Sequence, residues 1–74
     1  MSFSEFLKIR KSPRYKVGDK VWFYDLVSGK VGSGTVEILP DKYSVFYGVR
    51  PFDTPEDTWC IVDLLPGDIR KMRA

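Results

Sequence analysis

The sequence predicts a mostly β domain of about five short strands, curled into a small barrel and preceded by a short amphipathic helix. Three observations carry that expectation. From Tyr15 onward, short runs rich in Val, Ile, Tyr, Phe and Trp alternate with polar residues as half-buried strands do. Gly, Pro and Asp punctuate these runs roughly every 8 to 12 residues. Finally, the 74 residues hold too few strands for two packed sheets. Curling one sheet on itself removes edges that so small a domain has little else to cover.

Taken in order, residues 2–11 read as the helix, with 1–12 as an N-terminal helical unit and 13–74 as the barrel. Ser2 followed by Glu5 fits a capping box, and Phe3, Phe6 and Leu7 share one face. Pro13 stops the helix, because the residue before a proline is pushed out of the α region. So short a helix is marginal alone and must dock on something. Val17-Gly18-Asp19-Lys20 is a turn into the strand Val21-Trp22-Phe23-Tyr24. Leu26 to Gly34, with Gly29, Gly32 and Gly34, reads as a loop with a bent strand entry. Thr35 to Leu39 is a second strand, Pro40-Asp41 a tight turn, and Tyr43 to Val49 a third strand. Arg50 to Asp57 is a loop holding Pro51 and Pro55. Thr58 to Val62 is a fourth strand, Leu64 to Gly67 a turn, and Asp68 to Met72 a short closing strand.

Lys16-Val17-Gly18-Asp19-Lys20-Val21-Trp22 resembles the opening of SH3-like barrels, a Gly-Asp turn followed by an apolar strand. Gly32-Ser33-Gly34-Thr35-Val36 is similar to the second strand of Tudor-like, KOW-like and integrase C-terminal barrels, and Tyr43 to Tyr47 to their third. Val62-Asp63-Leu64-Leu65 resembles their final strands and turn. The likeness spans about residues 15–72 and implies a five-stranded SH3-like barrel with a short N-terminal amphipathic helix. Such barrels bind DNA, RNA, methylated tails, peptides and other subunits, so the likeness implies a binding module without choosing its ligand. Gly18 to Val21, Ser28-Gly29 and Tyr43 to Val45 also resemble the type II plasmid dihydrofolate reductases. That family's active-site signature is a valine-glutamine-isoleucine-tyrosine run. The matching stretch here, Thr58 to Val62, lacks the glutamine and the tyrosine, so the reductase activity is not implied.

Composition excludes several classes of function. The chain is 43% hydrophobic and 15% aromatic, the make-up of a folded domain. It has no histidine and one cysteine, which leaves no ligand set for zinc and removes the commonest general base. Cys60 sits in the apolar run Trp59 to Val62 and is expected to be a small buried hydrophobe. No cofactor is implied, and no convergent set of side chains suggests catalysis. No apolar stretch approaches the roughly 20 residues of a membrane span, and the N-terminus lacks the pattern of a signal peptide. A cytoplasmic location is the expectation.

Charge is distributed more tellingly than its +2 sum suggests. Lys8, Arg10, Lys11, Arg14, Lys16 and Lys20 against Asp19 give residues 8–20 a local +5, and Arg70, Lys71 and Arg73 give the end +3. Residues 21–69 carry a local −5. First and last strands are neighbours in small barrels, so the two basic ends are expected to adjoin. Lys8, Arg10, Lys11, Arg14, Lys16, Arg70, Lys71 and Arg73 are then candidate phosphate contacts.

The second candidate is aromatic. Alternation sends Val21, Phe23, Val36, Ile38, Tyr43, Val45 and Tyr47 inward and leaves Trp22, Tyr24 and Phe46 on an outer face around Glu37. Three readings stay open for that face: cover by the helix, a protein or homo-oligomer interface, or stacking on nucleic-acid bases. A methyl-lysine cage is a special case of the second. The glycine-rich Gly29 to Gly34 lacks the ending and context of a phosphate loop. Asp53, Glu56 and Asp57 cluster in one loop that could bind a divalent ion loosely; the preferred reading is a single helical turn capped by Thr54, with Pro55 at its first position and Glu56-Asp57 following.

Overall fold

The computed structural model describes residues 1–54 and 60–72. Five antiparallel strands form one curled sheet, a half-barrel, in the order β4-β3-β2-β1-β5. They are β1 (Lys20–Asp25), β2 (Lys30–Ile38), β3 (Tyr47–Pro51), β4 (Val62–Leu64) and β5 (Ile69–Lys71). The helix α1 spans Phe3–Lys8. Strands β4 and β5 are consecutive in the chain yet sit at opposite edges of the sheet. Leu65 and the 3-10 turn Pro66–Asp68 carry the chain across the gap between them.

The helix starts as expected and stops earlier. Ser2 Oγ accepts the Glu5 N–H at 3.2 Å and donates to the Glu5 carboxylate at 3.1 Å. Ile9 is already extended, so the helix ends before the residues that lead to Pro13. The strand β1 keeps the predicted alternation: Val21 and Phe23 are 0% and 4% exposed, while Trp22 and Tyr24 are half-buried on the other side.

Lys30 to Gly34 is strand, not loop. Gly29 at φ 70° completes the turn that Asp25 organises by accepting the Val27 N–H at 2.9 Å. Gly32 then lies beneath the Phe23 ring, where a Cβ would approach Cζ to 2.7 Å. The glycines here serve close approach of strand and ring more than flexibility.

Two expectations about the next hairpin fail for local reasons. A β-bulge between Val36 and Ile38 shifts the register against β3. Val36 pairs with Val49 facing the core, whereas Ile38 pairs with Gly48 and turns outward, 46% exposed. The strand expected from Tyr43 onward begins only at Tyr47. Asp41 Oδ1 accepts the N–H groups of Tyr43 and Ser44 at 2.8 and 3.0 Å, an Asx turn that withdraws these donors from a ladder. Tyr43 and Val45 are therefore 84% and 64% exposed instead of inward, and Phe46 precedes the strand. Arg50 and Pro51, expected in a loop, finish β3. Cys60 precedes β4 and is exposed, a correction to its expected burial; β4 itself begins only at Val62.

The core is small: Tyr15, Val21, Phe23, Val36, Tyr47, Val49, Leu64 and Ile69, with Val62 packed against it. Each aliphatic member contributes about 1.5–3 kcal/mol by leaving water. Tyr15 plugs the curl from the segment before β1. Its hydroxyl donates to the Ile69 carbonyl at 2.8 Å, its N–H donates to Tyr47 Oη at 3.3 Å, and the two rings meet edge to face at 5.3 Å. Burial pushes the Tyr15 phenol above its ordinary value, the charged form being the one that loses water.

Candidate functional site

The outer face of the sheet is where the functional candidates converge, and α1 divides it. Trp22 lies opposite Ser33 on β2 and opposite Arg70 on β5, so the three share this face. Phe3 packs on Tyr24 at 4.6 Å between ring centroids and Phe6 at 6.5 Å, which covers the Tyr24 end. Phe6 also lies 4.6 Å from the Arg70 guanidinium carbon. Helix cover, one of three readings open from sequence, therefore applies to Tyr24, while Trp22, equally half-buried, lines a depression beside the end of the helix.

Arg70 is held rather than presented. It is 2% exposed, with Nε donating to the Ile9 carbonyl at 2.9 Å and Nη1 to the carbonyls of Gly67 and Ile69 at 2.6 and 3.0 Å. A guanidinium buried against main-chain carbonyls and a ring joins helix, sheet and turn. Its role here is structural: at 2% exposure it is a buried strut rather than the exposed phosphate contact expected from sequence.

Beside this strut runs a groove. Lys8, Ile9, Trp22, Lys71 and Met72 line one depression. Arg10, Lys11, Ser12 and Pro13 line the next, which shares Ile9, Lys71 and Met72 with it. The two basic ends thus meet as expected, because β5 pairs with β1 and the Met72 N–H extends that pairing to the Lys20 carbonyl at 2.9 Å. Lys8, Arg10, Lys11 and Lys71 are exposed along its walls. Lys71 Nζ stands 3.8 Å from Asp19, a surface pair worth about 0–1 kcal/mol and easily exchanged for another anion. Ile9, Trp22 and Met72 are each partly buried and make the lining amphipathic.

The other candidates fall elsewhere. Arg14 and Lys16 are exposed on the segment after the groove, where the Lys16 N–H donates to Asp19 Oδ2 at 2.9 Å. Arg73 lies outside the described residues. Glu37 shares a separate depression with Thr35 and Arg50. Phe46, 43% exposed, follows the Asp41 turn and stands off the sheet. Trp22, Tyr24, Phe46 and Glu37 therefore do not form the single outer surface expected from uniform alternation. Asp53 is exposed, while Glu56, Asp57 and the expected Pro55 helical turn lie outside the described residues.

Ile9, Ser12, Pro13 and Met72 were not expected as site residues, since nothing in their spacing announces a groove formed between distant segments. Among the described residues no helix is long and apolar enough to cross a membrane. Fold and groove together define a small antiparallel half-barrel with one docked helix and a cationic cleft along its edge. Among known proteins no family model, curated protein or solved structure matches the chain.

Proposed function

We propose that this protein is a non-catalytic binding module of the SH3-like barrel type, acting in the cytoplasm, that contacts nucleic acid or a nucleoprotein complex through the groove between its two ends. The observation that carries the reading is the meeting of Lys8 and Lys71 beside a half-buried Trp22, with Arg10 and Lys11 on the adjoining depression that shares Lys71. Exposed cations in a cleft attract phosphates, and an aromatic ring beside them suits a base. The buried Arg70 guanidinium adds positive potential from beneath the Ile9 carbonyl. Arg14 and Lys16 lie near enough in sequence to extend the track.

The test is an amide NMR titration with a short mixed-sequence oligonucleotide at low and near-physiological salt. Shifts at Lys8 to Pro13 and at Ile69 to Met72 that weaken with salt are the expected result. Shifts absent at both salt concentrations sink the reading.

A second reading has its own observation. Ile38, Leu39, Tyr43, Val45 and Phe46 are between 42% and 84% exposed on the β2–β3 hairpin. An apolar surface of that kind suits a protein-interaction or assembly domain. Sedimentation of the wild type against Phe46→Ser distinguishes a self-assembling protein, whose mass falls on substitution, from one that is monomeric throughout.

A further inference from the structure

Resting on the groove reading above, we infer that the ligand is an unpaired strand of nucleic acid, with one base seated on Trp22 and its flanking phosphates on Lys8, Arg10, Lys11 and Lys71. The cleft has two chemistries. Its walls are cationic and come from separate segments, α1 with its extension on one side and β5 on the other. Its lining also includes Ile9 and Met72, which offer nothing to a phosphate, and Trp22, whose ring face suits a base while its indole N–H remains a donor.

An amphipathic cleft gains from a ligand that brings both an anion and a flat apolar face. In a duplex the base faces are stacked on one another, and only edges and backbone reach the outside. In a single strand they are free, and stacking on one aromatic ring is sequence-tolerant. The geometry of cover sharpens the assignment. Among the described residues of the outer face, Tyr24 is already packed by Phe3 and Phe6, and Trp22 is the ring that lines the cleft beside the cations. One ring means one stacked base rather than a run of them. Four exposed cations mean about four phosphates, for which affinity should fall roughly 50-fold between 50 and 200 mM salt at a slope near −0.7 per phosphate.

Three probes separate the possibilities by fluorescence anisotropy: an eight-nucleotide oligo-dT, a duplex of similar length, and inorganic polyphosphate as competitor. The expected result is that oligo-dT binds more tightly than duplex. Trp22→Leu should weaken oligo-dT about 5- to 150-fold, while leaving polyphosphate competition unchanged. In the intact protein, a carbon-bound ring-proton resonance of Trp22 should move upfield with oligo-dT, under the ring current of a stacked base, and not with polyphosphate, a readout that does not depend on the variant folding. Duplex binding as tightly as oligo-dT with that resonance unmoved overturns the inference and leaves the nucleic-acid groove standing. Polyphosphate competing as well as oligo-dT competes with itself, with Trp22→Leu neutral, overturns it in favour of a plain anion site. No binding of any probe at low salt removes the groove reading itself and this inference with it.

Discussion

Replacing Phe6 by leucine and Arg70 by methionine, singly and together, measures how the N-terminal helix is fastened to the sheet. Phe6 is 1% exposed and faces the buried Arg70 guanidinium at 4.6 Å. Phe6→Leu keeps most of the volume, so the repacking cost stays below about 1.5 kcal/mol. It also removes the ring face, and a desolvated cation–π contact is worth about 2 kcal/mol. A loss of roughly 2–3 kcal/mol is expected, which for a domain of this size lowers Tm by about 8–24 °C. Arg70→Met leaves the carbonyls of Ile9 and Gly67 without their donor, at about 1–3 kcal/mol each. Because both single changes delete one shared contact, the double variant should fall short of their sum by about 1–2 kcal/mol. Total stability for 74 residues is of order 4–11 kcal/mol, so Phe6→Leu remains folded, while Arg70→Met, at about 2–6 kcal/mol for its two carbonyls alone, is measured in an excluded osmolyte. An excluded osmolyte keeps the double variant in range. Urea unfolding followed by far-ultraviolet circular dichroism supplies the four free energies. Additivity to within about 0.3–0.5 kcal/mol would refute the reasoning, since it would mean that ring and guanidinium do not meet.

Three further outcomes are expected. The raised Tyr15 phenol stays protonated in the fold while the unfolded chain ionises near its ordinary 10.0. The stability it confers is thus fully present below that pH and lost as pH rises through the folded value; alkaline unfolding followed by tyrosinate absorbance should start above about pH 10 and change in Tyr15→Phe. Gly32→Ala sets a methyl against the Phe23 ring and should destabilise by about 1–3 kcal/mol, read from the denaturation midpoint. Cys60, being exposed, should react fully with a thiol reagent under native conditions, and Cys60→Ser should alter stability by no more than about 0.5 kcal/mol.

Local chemistry was legible residue by residue. The Ser2 and Glu5 pairing announced where the helix begins, since a cap depends on neighbours three residues apart. Alternation assigned Val21 and Phe23 to the core and Trp22 to the outside, because β1 is regular along its whole length. The basic composition of both ends, with the expectation that first and last strands adjoin, brought Lys8, Arg10, Lys11 and Lys71 together before any coordinates did.

What escaped the sequence depended on groups competing for partners across the chain. Alternation assumes an unbroken ladder; the bulge at Glu37 turned Ile38 outward, and the Asp41 carboxylate captured the donors of Tyr43 and Ser44. Arg70 read as a surface cation because its charge is visible in the sequence, while Phe6 and the Ile9 carbonyl, which bury it, lie far off along the chain (61 positions for Ile9). The same helix packs its rings on Tyr24 and leaves Trp22 lining the depression at its end, an arrangement set by where α1 lands on the sheet. The sequence by itself determined which residues prefer strand, turn and helix and which carry charge, because those preferences act over a few residues. Which aromatic lines the cleft and which cation is buried was decided by the tertiary structure, since burial is a property of two surfaces meeting and neither surface carries it alone.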